Sequence, residues 1–231
     1  GADAALGGRE DAMRIEIYSD TICPWCLIGK RRLERALQER PQPGLELVWR
    51  AFQLNPNMPP EGQNTTEHVR EKYGADPERS KATRNAIKDS GAALGFEFNY
   101  GPDSRIWNTF DAHRLLHWAG KEGKQEALKE AFFKLTFTDQ LPSNDHDALA
   151  NAAASVGLDE SRARAILSSE EFSEAVRNEQ MLWRSRGIQA VPTIILGERW
   201  MLQGAQPPEV FEQAIRQVLD GSAEEEEEPQ A

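Results

Sequence analysis

The sequence predicts an α/β protein whose sheet is assembled from two separated parts of the chain. Segments with the apolar patterns of β-strands occur near the beginning and near the end of the 231 residues. The residues from Thr65 to about Gly187 show helical periodicity and no convincing strand. A strand–helix–strand opening and a strand–hairpin–helix ending must combine to bury either face of one sheet. We therefore expect a split βαβ and ββα sheet with a helical insertion.

The elements of this frame are predicted from local patterns. They are a strand over residues 14–20, a helix over 27–40, a strand over 45–52, a strand over 193–196, its hairpin partner over 199–202 and a closing helix over 208–219. Pro41, Pro43 and Gly44 separate the first helix from the second strand. Gly197-Glu198 supplies the tight turn of the hairpin, and Pro207 marks the start of the closing helix.

The insertion is predicted to be entirely helical. After a loop at 53–63 that is rich in proline and asparagine, helices are expected over residues 66–73, 77–94, 108–120, 124–138, 145 onward, 159–167 and 170–186. We expect a discontinuous frame domain of residues 13–63 and 187–221, a helical subdomain of residues 64–186, and flexible termini of residues 1–12 and 222–231. The second of these termini carries an acidic run.

Composition and charge argue against nucleic-acid and membrane partners and favour a cytoplasmic location. The net charge of −11 argues against nucleic acid and against an anionic membrane surface. No apolar run approaches the ~18 residues that a membrane span requires. The N-terminal residues lack a signal-peptide pattern, and two cysteines cannot build a structural disulfide framework. We therefore expect a cytoplasmic protein without nucleic-acid or membrane partners.

The two cysteines, Cys23 and Cys26, flank a Pro-Trp pair between the first strand and the first helix. Two thiols at this spacing on the first turn of a helix are typical of thiol–disulfide exchange. Unpaired backbone amides and the positive end of the helix dipole stabilise a thiolate there. We predict that Cys23 attacks a disulfide and that Cys26, one turn further along, displaces the captured sulfur.

The residues between the cysteines are predicted to shape this site. Pro24 suits the first helical turn, because its missing N–H removes one orphan donor. Trp25 is expected to form an apolar lip beside the sulfur and, unlike a protonated histidine, offers no cation to a thiolate. We therefore predict a reduction potential less oxidising than that of strong periplasmic oxidants. The basic run Lys30-Arg31-Arg32 is expected to be a solvated face of the helix.

Two other interpretations of the cysteine pair stay open. The pair could be half of a zinc site, although a closed site needs two more ligands. Among the histidines, only His113 and His117 lie one turn apart, and that spacing is a weak signal. The cysteines could also be inert core residues, since cysteine is often buried. We predict no bound metal.

A proline before the third frame strand supports the redox interpretation. Pro192 enters the strand after a loop that contains Gly187, and cis peptide bonds occur almost only before proline. A cis bond between Val191 and Pro192 would expose the Val191 backbone to an extended substrate beside Cys23. An ordinary trans-proline at a strand start is the alternative.

Together these residues resemble the DsbA family of oxidoreductases, and in particular its cytoplasmic FrnE-like branch, which is related to 2-hydroxychromene-2-carboxylate isomerases. The resemblance runs from about residue 13 to residue 219, in the motifs Asp20–Gly29, Phe52–Pro56, Asn108–Leu115, Val191–Thr193 and Gly204–Pro207. It implies a thioredoxin-like fold with a helical insertion, a nucleophilic Cys23, a resolving Cys26 and a cis-Pro192. One member of this group has a second cysteine pair, which this chain lacks.

The motifs also provide candidate substrate-binding residues. These are Pro24, Trp25, Asn55, Asn108, His113, Val191 and Pro192. Asn108 and His113 belong to a segment with a second interpretation, in which Phe110, Leu115 and Leu116 form a core stripe and Asn108 or Thr109 caps the helix. The ordinary pKa of histidine lies near neutrality, so His113 is also a candidate for tuning a substrate proton.

The expected activity is that of a dithiol–disulfide oxidoreductase acting on protein or small-molecule disulfides, without a cofactor and with glutathione as a candidate co-substrate. The alternative is a glutathione-dependent isomerase or transferase of the 2-hydroxychromene-2-carboxylate isomerase or kappa type, acting on a small organic substrate. Such enzymes usually carry serine at the position of Cys23. A third alternative is a redox-sensing protein that recruits a partner according to the state of the pair.

Overall fold

The computed structural model describes residues 14–39, 41 and 44–220, apart from the side chains of residues 219 and 220. The predicted flexible termini lie outside these residues. The strands are β1 (Arg14–Ser19), β2 (Glu46–Ala51), β3 (Gln63–Asn64), β4 (Arg105–Ile106), β5 (Thr193–Leu196) and β6 (Trp200–Gln203). The helices are α1 (Pro24–Glu39), α2 (Thr65–Tyr73), α3 (Pro77–Ala93), α4 (Phe110–Lys121), α5 (Gln125–Phe133), α6 (His146–Ser155), α7 (Glu160–Leu167), α8 (Ser173–Ser185) and α9 (Pro208–Asp220), and a π-helical turn (Lys134–Thr138) follows α5.

The described part of the chain forms two compact units. The first comprises the residues up to Ser19, residues 25–50 and the residues from Ala190 onward, and the second comprises residues 20–24 and 51–189. The chain crosses from the second unit to the first within the Cys-Pro-Trp-Cys segment. The domain boundaries predicted after residues 63 and 186 stay a prediction.

The first unit contains the predicted four-stranded sheet. Its strand order is β2-β1-β5-β6. β5 runs antiparallel to both β1 and β6, with Ile17 opposite Ile194 and Ile194 opposite Leu202. The alternation in β1 places Ile15 and Ile17 in the core, as a strand with one buried face requires. The βαβ opening and the ββα ending therefore share one sheet, and the predicted fold class is confirmed.

α1 packs closely on the segment that precedes β5. A Cβ atom at Gly29 would lie 3.4 Å from Cγ of Pro192 and 3.4 Å from Cα of Ala205. Arg32 donates a hydrogen bond from its guanidinium to the carbonyl oxygen of Ala205, which follows β6. A Cβ atom at position 29 would therefore make ordinary van der Waals contacts with Pro192 and Ala205.

The basic run on α1 is not a solvated face, and that prediction is wrong at Lys30. Its side chain is buried, with Nζ 3.3 Å from a carboxylate oxygen of Glu34 on the next turn. A buried lysine requires such a partner, because an isolated ammonium is strongly destabilised away from water. The three-residue pattern gave no sign of which member would face the protein interior.

The second unit is built around helices, most of which begin at a polar capping residue. The side chains of Asn64, Asp76, Asp145 and Asp159 each accept a hydrogen bond from the backbone N–H three residues further on, at the starts of α2, α3, α6 and α7. Leu115 and Leu116 are buried in the core that α4 shares with α5, α6 and α7, as predicted, while Phe110 is half-buried.

One feature of this unit contradicts the sequence prediction. β3 and β4 form a two-stranded antiparallel ladder, with Gln63 opposite Ile106 and Asn64 opposite Arg105. The prediction of no strand between residues 65 and 187 is therefore wrong at β4. Two residues are too few to show an alternating pattern, so hydrophobic periodicity cannot detect such a strand.

A cluster of rings joins the segment after α3 to the end of α5 and the π-helical turn. This aromatic cluster consists of Phe96, Phe98, Tyr100, Phe133 and Phe137. The ring centroids of Phe96 and Phe98 are 4.8 Å apart, and those of Phe98 and Phe137 are 5.1 Å apart. Such spacings are favourable for aromatic pairs and add to the burial of the rings. The cluster fixes the position of Tyr100, which lines the cavity described below.

We expect the substitution Gly91→Ala to destabilise the protein. Alanine is favoured over glycine within a helix by about 1 kcal/mol. However, a Cβ atom at this position of α3 would lie 2.4 Å from a ring carbon of Phe98 and 2.8 Å from the carbonyl oxygen of Phe96. Overpacking of this kind typically costs about 1–3 kcal/mol, so the clash outweighs the helix preference. Denaturant unfolding of the purified variant measures the difference.

The matched control is Gly101→Ala, because a Cβ atom at Gly101 meets no atom within 4 Å. Its unfolding midpoint is expected to stay close to that of the parent protein. Equal midpoints for the two alanine variants would show that α3 does not depend on a glycine at position 91.

Candidate active site

The two cysteines lie at the beginning of α1, as predicted, although the helix starts at Pro24 rather than at Leu27. Both are thiols and not a disulfide. Cys23 immediately precedes the helix and is 5% exposed, whereas Cys26 is fully buried. The backbone N–H of Cys23 donates to the carbonyl oxygen of Asp20 at 3.1 Å, which closes a turn between β1 and α1. Cys23 is therefore the more exposed of the two cysteines, and it lies at the N-terminus of a helix.

The side chain of Asp20 anchors this turn within the second unit. One carboxylate oxygen accepts a hydrogen bond from the backbone N–H of Leu54 at 2.9 Å, and the other lies 3.0 Å from Nε2 of His113. Burial acts to raise the pKa of Asp20, but the interactions with His113, supported by Leu54 and Thr109, hold it below its ordinary value. Asp20 is therefore an ionised, fully buried carboxylate.

His113 is the partner of this carboxylate and is itself buried. Burial lowers the pKa of His113 and prevails over the hydrogen bond to Asp20, which acts to raise it. The neutral imidazole therefore donates its Nε2–H to the Asp20 carboxylate. The predicted role of His113 in substrate binding stays a prediction, and the observed contact gives it a role in positioning Asp20.

Sequence reasoning did not include Asp20 among the site residues. Asp20 is the first residue of the motif Asp20–Gly29, directly after β1 and three positions before Cys23. An acidic residue at the buried end of a strand is itself a signal, because such a residue requires partners. Its partners could not be inferred, since Leu54 and His113 are distant in sequence.

The two predicted asparagines hold a loop of the second unit. Asn108 donates from Nδ2 to the carbonyl oxygen of Met58 at 2.9 Å, and its Oδ1 accepts from the N–H of Phe110 at 2.9 Å. The carbonyl oxygen of Asn55 accepts from the N–H of Met58 at 3.1 Å. Both residues therefore stabilise the turn that follows β2. Their predicted roles in substrate binding stay predictions.

The remaining predicted site residues divide between the two units. Pro24, in the second unit, and Trp25, in the first, are half-buried. The peptide bond between Val191 and Pro192, in the first unit, is cis, as predicted. The carbonyl oxygen of Pro192 accepts a hydrogen bond from the N–H of Gly204 at 2.8 Å, which ties it to the end of β6.

A cavity of about 150 Å³ lies in the second unit beside Cys23. Its walls include Ile22 and Pro24, the neighbours of Cys23 on either side, together with Ile87 and Tyr100. Burial raises the pKa of the Tyr100 phenol, and the charge of the Cys23 thiolate raises it further. Sequence reasoning missed this cavity, because most of its walls come from α2, α3, β4 and the π-helical turn.

In the ranges 14–39 and 44–220, no helix combines the length and the apolar character needed to cross a membrane. Among the same residues, no group of three or more histidine, cysteine, aspartate and glutamate side chains is arranged to hold a metal ion.

Comparison with known proteins gives concordant results. A family model described as a DSBA-like thioredoxin domain matches residues 14–216. The uncharacterized protein YwbO of Bacillus subtilis strain 168 is 28% identical over 204 residues, which cover 88% of this chain and 96% of the relative. A probable DsbA oxidoreductase from Streptomyces coelicolor is 36% identical, with a TM-score of 0.85 and 90% of each chain covered.

A 2-hydroxychromene-2-carboxylate isomerase is a more distant structural neighbour. It is 18% identical, with a TM-score of 0.68, and the match covers 92% of this chain and 98% of the isomerase. At this identity the similarity establishes the fold alone.

We expect the Asp20–His113 pair to make stability depend on pH. An unfolded histidine binds a proton below its ordinary pKa of 6.5, whereas folded His113, whose pKa is lowered, binds one only at lower pH. The folded state therefore loses stability as the pH falls below 6.5, by at most about 1.4 kcal/mol per pH unit. The pKa of Asp20 is lowered from 3.8, so its contribution is lost only as the pH falls below that value.

The substitution His113→Gln retains an N–H donor for Asp20 but cannot bind this proton. At neutral pH, the free energy of unfolding of this variant is expected to be lower than that of the parent. Between pH 6.5 and pH 3.8, its free energy of unfolding is expected to change less with pH. His146→Gln, at an exposed histidine that lies 3.0 Å from Asp111, is the control and should keep the parental slope. Urea unfolding at a series of pH values measures these slopes, and an unchanged slope in His113→Gln would contradict the assignment.

Proposed function

Because the chain belongs to the family of DsbA-like thioredoxin domains, we propose that it is a thiol–disulfide oxidoreductase with Cys23 as its nucleophile. The observation that carries this proposal is the pair of thiols at the start of α1, of which only Cys23 retains exposure. A thiolate at this position is stabilised by the backbone N–H groups and the dipole of the helix.

The proposed reaction has two steps. The Cys23 thiolate attacks one sulfur of a substrate disulfide, a mixed disulfide forms and the other substrate sulfur leaves as a thiolate. Cys26 lies one helical turn further along α1, so its thiolate can attack Sγ of Cys23 and release the second substrate sulfur. The dithiol is thereby oxidised by two electrons and the substrate disulfide is reduced. A low-molecular-weight thiol such as glutathione restores the dithiol.

We expect the two cysteine variants to fail at different steps. Cys23→Ser cannot form the mixed disulfide, so its rate in an insulin-reduction assay should fall to the rate without enzyme. Cys26→Ser still forms the mixed disulfide but cannot resolve it, so mass spectrometry of the intact protein should detect a stable adduct. Full activity in Cys23→Ser would contradict the proposal. Retained turnover of a small organic substrate by Cys26→Ala with glutathione would favour the isomerase or transferase alternative.

We also expect a reduction potential well below about −120 mV, the value of a strong oxidant of this family. Trp25 provides no cation that would stabilise the thiolate and thereby the reduced state. Trp25→His should therefore make the potential less negative by about 30 mV or more, which corresponds to about 1.4 kcal/mol. Trp25→Phe, which introduces no charge, is the matched control and should not shift it. Equilibration with glutathione redox buffers gives these potentials, and equal values for the two variants would contradict the role of Trp25.

Protein disulfides and small-molecule disulfides are both candidate substrates under this proposal. The cytoplasmic location inferred from the sequence stays a prediction.

A further inference from the structure

The cavity beside Cys23 contains polar groups that the protein leaves unsatisfied. Ser80 on α3 and Thr136 on the π-helical turn both line it and are only 5% and 7% exposed. Their hydroxyl oxygens have no hydrogen-bond partner within the described part of the protein. Buried hydroxyl groups are normally paired, because leaving one unpaired costs about 1–3 kcal/mol. The wall of the cavity therefore contains two buried polar groups whose hydrogen-bonding capacity the described protein does not use.

The helix geometry explains the position of Thr136. Residues 134–138 form a π-helical turn, in which the N–H of Asp139 donates to the carbonyl oxygen of Lys134. Such turns insert one extra residue into a helix and occur frequently at functional sites. The carbonyl oxygen of Phe137 accepts from the N–H of Asn99 at 2.8 Å, which joins this turn to the segment that carries Tyr100.

The charge of the cavity wall favours an anion. Arg84 and Arg105 line the cavity, and its described lining includes no aspartate or glutamate. Arg84 is half-buried and donates from one guanidinium nitrogen to Oγ1 of Thr66 at 3.0 Å. Since a guanidinium carries five N–H donors, further donors remain for a carboxylate.

The size and the apolar part of the wall limit the ligand. A volume of about 150 Å³ accommodates a single aromatic ring. Ile87, Ile106 and Phe137 supply apolar surface against which a ring can pack. Ile22 and Pro24, the sequence neighbours of Cys23, line the cavity, and the charge of a Cys23 thiolate acts on the phenol of Tyr100 in its wall.

We propose that this cavity binds one half of a low-molecular-weight disulfide, a single-ring organic thiol that carries a carboxylate. The inference rests on the proposed function and names its substrate class. The ring occupies the apolar wall, and Ser80, Thr136 and Arg84 bind the carboxylate. The Cys23 thiolate attacks the substrate sulfur nearer to it, a mixed disulfide forms and the other half leaves as a thiolate. Cys26 then displaces the bound half, so the disulfide becomes two thiols and the enzyme dithiol becomes a disulfide, which glutathione reduces.

The test uses a probe that cannot exchange disulfides, para-(methylsulfanyl)benzoate, and its neutral analogue methylsulfanylbenzene. Isothermal titration should show that the benzoate binds the full chain at least tenfold more tightly than the analogue. Thr136→Val should weaken benzoate binding about tenfold, which corresponds to the loss of one hydrogen bond to a charged group. Thr83→Val, at an exposed threonine that also lines the cavity, is the matched control and should bind normally.

A second measurement distinguishes a ligand site from a structural hydroxyl. Without ligand, Thr136→Val should unfold at the same temperature as the parent or at a higher one, because the removed hydroxyl had no partner. In steady-state assays this variant should raise KM for para-dithiodibenzoate about tenfold, whereas Thr83→Val should leave that KM unchanged. Absence of benzoate binding, or equal affinity in Thr136→Val and the parent, would overturn the inference.

The two proposals fail separately. If insulin reduction depends on Cys23 but the benzoate does not bind, the proposed function stands and the cavity inference is wrong. If the benzoate binds as expected but Cys23→Ser still reduces para-dithiodibenzoate at the parental rate, the proposed function is wrong and the cavity remains a site for a small carboxylate.

Discussion

The site depends on the hydrogen bonds that the buried carboxylate of Asp20 accepts from Leu54 and His113. Asp20 follows β1, and its carbonyl oxygen closes the turn to Cys23 while its carboxylate binds Leu54 and His113. An isolated carboxylate is very unfavourable away from water, so its donors must be held in place. Leaving a buried polar group without its hydrogen-bond partner typically costs about 1–3 kcal/mol, and more when that group is charged. The same interactions therefore fix the turn that carries the nucleophile, the loop after β2 and the start of α4.

This arrangement gives several motif residues a positioning role. His113 positions Asp20, and Asn108 with Asn55 holds the turn at Met58, close in sequence to Leu54. Arg114, the neighbour of His113, donates to the carbonyl oxygens of Ile166 and Ser169 at the end of α7, where a cation is favourable. The segment from Asn108 to Leu115 is thus a structural support whose charges and amides are nearly all used within the second unit.

Features that depend on a short segment of the chain were predictable from the sequence. Contacts between residues that are far apart in the sequence were not. The cysteine spacing, the proline before β5 and the periodicity of most helices are properties of short segments, so the frame, the insertion and the site around Cys23 followed from them. The partners of Asp20, the ladder between β3 and β4 and the burial of Lys30 depend on where distant segments meet. The cavity is the extreme case, because its lining is drawn from residue 22 through residue 140 and no single segment reveals it.

The hydroxyl of Thr136 illustrates how such a feature is recognised once the structure is known. Valine has nearly the same shape and would fill the same place without an unsatisfied polar atom, so stability alone favours valine there. Residues that lower stability are retained where activity needs them. Thr136 lies on a π-helical turn, shares a cavity with the equally unsatisfied Ser80, and that cavity adjoins both neighbours of Cys23. A substrate group that satisfies both hydroxyls accounts for all three observations.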